Sequence, residues 1–417
     1  MTMDVSALRA AFPSLSSGIA HFDGPGGTQT PAAVGAAIAD TLTGPLSNRG
    51  TGILSERNAE DAVAAFRAAG ADLLGARPEG IVHGRSATQL AYDFSRHLSR
   101  DWGAGDEIVV TQLDHDANVR PWVQIAERTG ATVRRLTLDP ATADLRLDAE
   151  LDEVVNERTR LVAVTGASNL IGTRPDLVRI ARRADAVGAL VYVDGVHLTA
   201  HAAIDVAELG ADFFVCSPYK FFGPHCAILA ADPALLETIT PDKLLPSTND
   251  VPERFEFGTL PYEQLAGVTA AVDFIAGLAP AGPASTGLAP AGMASTGRDA
   301  APRRDRIVAA YEVIDAHELR LRRRIEEALA GFGDRVVVHS TAETRTPTLF
   351  VTFPGRHSDD VARVLAAREV HAPSGTFYAY EPARALGVEA GLRIGLAPYN
   401  DDAEVDRLAE GLAAALA

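Results

Sequence analysis

The chain has 417 residues, 47% of them hydrophobic, enough for a large α/β body and a second, smaller unit. Its formal net charge is −17, a field that repels phosphate backbones and anionic bilayers, so neither nucleic acid nor a membrane surface is an expected partner. Two cysteines, Cys216 and Cys226, make neither a disulfide framework nor a clustered metal set, which fits a reducing, cytoplasmic compartment.

The first twenty residues lack the basic region and apolar run of a signal peptide, and residues 4–12 read as a short amphipathic helix. His21-Phe22-Asp23-Gly24-Pro25-Gly26-Gly27-Thr28-Gln29-Thr30-Pro31 follows, rich in turn formers. Its paired glycines, Gly26 and Gly27, let a backbone come close to a ligand. Helices are predicted over 31–42 and 55–74. Arg49, in the polar loop between them, is either an anion contact or a solvated charge. A strand over 81–85 leads into Ser86-Ala87-Thr88-Gln89, which opens a helix running to 98. Free N–H groups at such a start suit a phosphate, although a plain serine N-cap has the same look.

From residue 107 strands alternate with helices: strands over 107–111, 133–138, 160–165, 190–194, 212–217 and 227–231, helices over 122–128 and 176–187. The runs at 161–165, 190–194 and 212–217 are almost continuously apolar, as in strands covered on both faces. The expected fold is therefore α/β with a mainly parallel, doubly wound sheet, its ligand loops beyond the carboxyl ends of the strands. Residues 265–282 are interrupted by Asp273 and read as a soluble helix, not a membrane span. Residues 278–297 hold a tandem repeat, LAPAGPASTG then LAPAGMASTG, expected to be a flexible surface insertion. Beyond it come a long arginine-rich helix over 303–332, strands over 335–339, 348–353 and 392–396, and helices over 358–368 and 403–417, the pattern of a compact α+β unit. The expected organisation is an N-terminal segment (1–20) packing on the small domain, a large ligand-binding domain (21–275), the repeat insertion (276–300) and a small C-terminal domain (301–417).

One lysine stands out. Of 38 basic residues only Lys220 and Lys243 are lysine. Lys220 follows an apolar strand and precedes a Gly-Pro turn. A desolvated amine can lose its proton and attack a carbonyl, which a guanidinium cannot do. Asp194 ends another strand, and Ser86-Ala87-Thr88 stands at a helix start. A carboxylate, an amine and a phosphate cradle on one sheet edge are what pyridoxal 5′-phosphate requires.

At this point the sequence resembles the class V aminotransferases, fold-type I pyridoxal phosphate enzymes, nearest the cysteine desulfurases. The resemblance runs nearly end to end. It rests on Asp114-His115-Asp116-Ala117-Asn118 with Pro121-Trp122, Ser168-Asn169-Leu170-Ile171-Gly172-Thr173, Val193-Asp194-Gly195, Ser217-Pro218-Tyr219-Lys220 and Arg254-Phe255-Glu256-Phe257-Gly258-Thr259. It implies a large domain with a mainly parallel sheet plus a smaller α+β domain. It implies that Ala87, Thr88, Ser217 and Tyr219 hold the phosphate, that His115 stacks over the pyridine ring and shuttles protons, and that Asn169 approaches the ring oxygen. Asp194 would pair with the pyridine nitrogen, His197 with the phenolic oxygen, and Lys220 would carry the cofactor as a Schiff base. Gly258 and Thr259 would reach the phosphate of a second subunit, making a homodimer with shared sites. Arg393 would clamp the carboxylate of a small amino-acid substrate, with Gly27 and Arg49 on the substrate side. Asp116 and Tyr219 stand where the family often has histidine.

Cysteine desulfurases carry a mobile thiol shortly before that arginine. The matching segment here, residues 370–380, contains no cysteine. The expected reaction is therefore C–S β-elimination, with His371, Ser374, Thr376 and Tyr378 lining the substrate side. Transamination, epimerisation and a cofactor-binding regulatory protein without activity are the alternatives.

Overall fold

The computed structural model describes residues 3–280 and 301–417, so most of the tandem repeat lies outside the described residues. In chain order the strands are β1 (Ala20–His21), β2 (Ile81–Gly84), β3 (Glu107–Thr111), β4 (Thr132–Leu136), β5 (Leu138–Asp139), β6 (Asp144–Leu145), β7 (Thr159–Thr165), β8 (Leu190–Asp194), β9 (Phe213–Cys216), β10 (Ala227–Ala231), β11 (Val337–Val338), β12 (Thr348–Thr352), β13 (Val370–His371), β14 (Ser374–Gly375) and β15 (Gly391–Gly395).

Seven of them form one sheet in the order β2-β10-β9-β8-β7-β3-β4. Only β10 runs against its neighbours. Side chains alternate across this sheet. Val109, Val162, Val164, Val191, Val193 and Phe214 face a core with the helices Leu54–Leu74, Leu177–Ala186 and Tyr262–Ala276. Ile108, Val110, Leu161, Tyr192, Phe213 and Val215 face another with Ala87–Leu98 and Arg120–Thr129. Period-2 alternation with both faces apolar is the reason these segments read as unbroken hydrophobic runs.

A second, antiparallel sheet has the order β11-β12-β15-β14. The helices Ser358–Ala366 and Asp402–Leu416 cover it. The helix Arg303–Ala330 joins the two bodies. Its Ile307, Ala310, Tyr311 and Ile314 belong to the large-sheet core and its Leu321, Ile325 and Leu329 to the small-sheet core. At 28 residues it spans roughly 40 Å at 1.5 Å per residue, long enough to serve both.

The N-terminal segment also touches both bodies. Phe12 packs edge-on against Phe222, Phe274 and Tyr399, while Arg9 reaches Glu404 at 2.8 Å. Helices Leu147–Val154 and Tyr380–Leu386 and the two-residue strands β1, β13 and β14 were not expected, being too short to show a period. The strand expected over 133–138 leaves the ladder at Leu136. There the Glu150 carboxylate accepts the Thr137 N–H at 2.8 Å and Gln112 Oε1 accepts that of Leu138 at 3.1 Å. Among the described residues no helix is long and apolar enough to cross a membrane.

Candidate active site

The carboxyl ends of β7, β8 and β9 lie side by side, with Thr165 opposite Asp194 and Asp194 opposite Val215. Asp194 is buried at 7% exposure and accepts the Val196 N–H at 3.0 Å. Burial raises its carboxyl to about 6, and the nearby Lys220 charge partly offsets this. Gly195 lets the strand end against Phe214, since a Cβ there would sit 1.9 Å from the Phe214 ring.

Lys220 closes the short turn Pro218–Lys220 that follows β9. Its Nζ donates to the Pro25 carbonyl at 2.5 Å and lies 4.4 Å from the centre of the Tyr219 ring, which stacks on His225. The glycine-rich segment grips this turn. Thr28 N–H donates to the Tyr219 carbonyl at 3.0 Å, Thr28 Oγ1 accepts the Phe222 N–H at 2.9 Å, and a Cβ on Gly27 would lie 3.4 Å from the Tyr219 ring. Desolvation, helped by the Arg393 charge and opposed by Asp194, lowers the amine to about 7. An amine lowered this way is partly in its free-base form near neutral pH, the form that acts as nucleophile or proton acceptor.

Arg393 lies in the middle of β15 at 2% exposure. Its Nη1 donates to the Asn169 carbonyl at 3.0 Å and the Phe377 ring lies 3.7 Å from its guanidinium carbon. Burial lowers it to about 9, with Asp23 and Tyr219 holding it up. Asn169 Nδ2 donates to the Phe377 carbonyl at 2.9 Å, while its Oδ1 is buried without a partner among the described residues.

His115 accepts the Ala117 N–H on Nδ1 at 3.0 Å, which leaves the ring proton on Nε2. Its ring lies 5.6 Å from that of Tyr378, and burial together with the Lys220 charge lowers it to about 4, so it is neutral at pH 7. The block around it is fixed from below. Asn118 Nδ2 donates to Asp114 at 2.7 Å, the Thr111 hydroxyl donates to the same carboxyl, and Trp122 Nε1 donates to Asn118 Oδ1 at 3.2 Å. Burial raises Asp114 to about 8.

At the start of the helix Ala87–Leu98, Ser86 Oγ accepts the Gln89 N–H at 3.1 Å. Ser86 is thus an N-cap, and helix geometry leaves the N–H groups of Ala87 and Thr88 without intrahelical acceptors. Ser217 is buried just before the lysine turn. Gly258 (φ +91°) and Thr259 stand on an exposed loop. Glu256 anchors that loop, pairing with Arg67 at 2.8 Å and accepting the His83 N–H at 2.7 Å.

Three expected residues have polar partners within the chain. Arg49 meets carboxylates of this chain, with a two-pronged contact to Glu60 (2.7 and 2.8 Å) and one to Glu253 (3.1 Å). His197 shares its Nε2 between the Thr346 and Thr348 hydroxyls (3.1 and 3.0 Å), and its ring lines a cavity of about 10 Å³ with Lys220, Thr28 and Phe222. Ser374 turns its hydroxyl to Asp359 at 2.6 Å. Sequence reading missed Phe377 and the Pro25 carbonyl. Phe377 and Tyr378 both have positive φ (+55° and +57°), a backbone state that bulky residues rarely adopt and that often marks a functional loop. Cys216 and Cys226 are buried, and desolvation raises both thiols, that of Cys226 to about 12.

The sequence matches the aminotransferase class-V family over residues 20–282 and 308–408. The chain belongs to that family. It is a pyridoxal phosphate-dependent enzyme family, and the cysteine desulfurase of Dickeya dadantii is 31% identical over 98% of this chain and 96% of its own. An uncharacterised protein of Mycobacterium tuberculosis, MT3887, is 28% identical over 99% of both chains. Among solved structures, the Escherichia coli cysteine desulfurase CsdA in its S-sulfonic acid form superposes with a TM-score of 0.85. It is 26% identical and covers 100% of this chain and 99% of its own. The fold is thus the fold-type I architecture expected.

The donor set fits the cofactor of this family. A partly neutralised amine, a buried carboxyl at a strand end, an unpartnered Asn169 Oδ1 and two free N–H groups at a helix start match an aldehyde, a pyridinium nitrogen, a ring hydroxyl and a phosphate in turn.

Proposed function

We propose that this class V enzyme is a pyridoxal phosphate-dependent C–S lyase, which splits a cysteine-type amino acid by β-elimination. The observation that carries the reading is the loop over Arg393. The desulfurase relatives support C–S chemistry, yet here that loop presents Phe377 and Tyr378 in place of a thiol, and both cysteines are buried. No group at this position can take up the sulfur as a persulfide, so the sulfur leaves with its bonding electrons.

The cofactor, bound at Lys220, supplies an electron sink for the Cα carbanion. The chain's residues do the rest. Asp194 keeps a proton at the pyridine nitrogen. Ala87 and Thr88 N–H groups with the Ser217 hydroxyl hold the phosphate, and Tyr219 supports the lysine turn. Arg393 binds the substrate carboxylate with Phe377 covering its flat face. Lys220 Nζ takes the Cα proton and returns one to the departing sulfur. His115, neutral with its proton on Nε2, donates to the substrate side. Cysteine plus water yields pyruvate, ammonia and sulfide, which balances without an external oxidant.

The exposed Gly258–Thr259 loop is proposed to complete the phosphate site of a second copy, so that the working form is a homodimer. Division into a large domain, residues 21–275, and a small domain, residues 301–417, is proposed on the two separate sheets, and a reducing, cytoplasmic setting on the two buried free thiols. The test is product analysis of purified protein given cysteine, cystine and other amino acids. Pyruvate and sulfide or persulfide formed without a keto acid support the lyase. Amine transfer that needs a keto acid and yields no pyruvate overturns it.

A further inference from the structure

We propose that His21, Asp23 and His371 form a site for a borderline divalent transition metal, of the Zn²⁺ or Co²⁺ type, separate from the Lys220 site. β1 pairs in parallel with β13 in the register His21 opposite His371, so the two imidazoles stand side by side with ring centres 5.4 Å apart. Asp23 is two residues beyond His21, and alternation returns its side chain to the same face. His21 Nδ1 lies 3.2 Å from Asp23 Oδ1 and His371 Nδ1 lies 4.0 Å from Asp23 Oδ2. One ligand atom from each residue can be chosen so that all three lie within 4.8 Å of one another.

These spacings suit a shared ion. Bonds of about 2.0–2.1 Å in a tetrahedral shell place donor atoms roughly 3.4 Å apart. His21 and Asp23 are already at that separation. His371, with its side chain 40% exposed, is free to close the remaining gap. The side chain of Asp23 is 32% exposed, which leaves a path from solvent.

His21 Nδ1 also faces two groups with opposite demands. Asp23 Oδ1 at 3.2 Å wants a proton on that nitrogen, while the Gln29 amide nitrogen at 3.3 Å wants its lone pair. A cation satisfies the nitrogen and the carboxylate together, and rotation of the amide offers the Gln29 oxygen as a fourth ligand. Two imidazoles with a carboxylate and an amide oxygen select zinc-like ions over calcium or magnesium, which take oxygen shells. The site borders the Lys220 group, since the Asp23 charge reaches Arg393 and His371 is among the residues expected on the substrate side, but it shares no ligand with Lys220, Asp194 or Arg393.

The experiment titrates chelator-treated, full-length protein with Co²⁺ and then Zn²⁺, following the visible cobalt absorption and calorimetry. One equivalent of Co²⁺ giving the intense band of a four-coordinate ion, displaced by Zn²⁺, is the expected result. His371→Ala weakens binding at least tenfold, and His371→Cys restores it with a thiolate-to-cobalt charge-transfer band. His357→Ala, at another exposed histidine, leaves it unchanged. Melting curves of each variant confirm folding. Equal affinity in wild type and His371→Ala, or the absence of one-equivalent binding, overturns the site.

Discussion

At Lys220 the decisive quantity is the cost of holding a charge away from water beside Arg393. Burial lowers the amine from 10.5 to about 7. The neutral form is the reactive one, so its fraction grows with pH and saturates above the folded value. Labelling of Lys220 in the cofactor-free protein by a small acylating reagent is therefore expected to rise about eightfold from pH 5.5 to 6.5 and to level off above pH 8. Only one other lysine competes, so peptide mass analysis reads each site separately. A rate that still climbs at pH 9 would show an ordinary, solvated amine. The Arg393–Phe377 contact belongs to the same scale. A desolvated cation–π contact contributes about 0.5–2 kcal/mol, so Phe377→Ala is expected to raise KM about 2–30-fold and to leave kcat within about twofold. A fall in kcat at constant KM would instead place Phe377 in the chemical step.

Among the elements, the segment before Gly258 shows how a long-range ion pair shapes a loop. Arg67 on the helix Leu54–Leu74 donates to the Ile81 carbonyl and pairs with Glu256, whose side chain is 3% exposed. Glu256 in turn accepts a backbone N–H of β2. Removing one partner of a buried pair leaves the other uncompensated, at about 3–5 kcal/mol. Arg67 keeps Glu253 at 3.2 Å, which puts Glu256→Ala at the lower end, about 3 kcal/mol by denaturant titration. A loss under 1 kcal/mol would mean the loop is not held this way. The same element explains Arg49. The sequence shows a basic residue in a polar loop, but not that Glu60 and Glu253 come to meet it from a helix and from a turn two hundred residues on.

For the whole molecule, the proposed dimer makes a sharp statement about where each half of a site resides. If Gly258 and Thr259 serve the partner's phosphate, a Lys220→Ala subunit and a Gly258→Asp subunit each lack a different half. Reassembled in equal amounts, they form mixed dimers in which one of two sites is intact. Recovery of about a quarter of wild-type activity is expected from random pairing. No recovery from two inactive parents, with mixed dimers verified by mass, would place both halves in one chain.

The large sheet was legible because its information is local. Its inner strands β3, β7, β8, β9 and β10 are short, buried, mostly apolar runs, and β3, β8 and β10 begin and end at the residues expected. Lys220 was legible for a chemical reason, as an amine in a chain that otherwise uses guanidinium, and Asp194 because a charge closes a hydrophobic strand. The amino-acid sequence by itself determined the inner strands of the large sheet, the turn that carries the lysine and the lack of a thiol before Arg393. Only the tertiary structure decided that Arg393 reaches Asn169, that Thr346 and Thr348 take His197, and that His21 stands opposite His371. Those contacts join residues roughly 150 to 350 positions apart, and no period of two or 3.6 residues records which distant side chains a fold will bring within hydrogen-bonding reach.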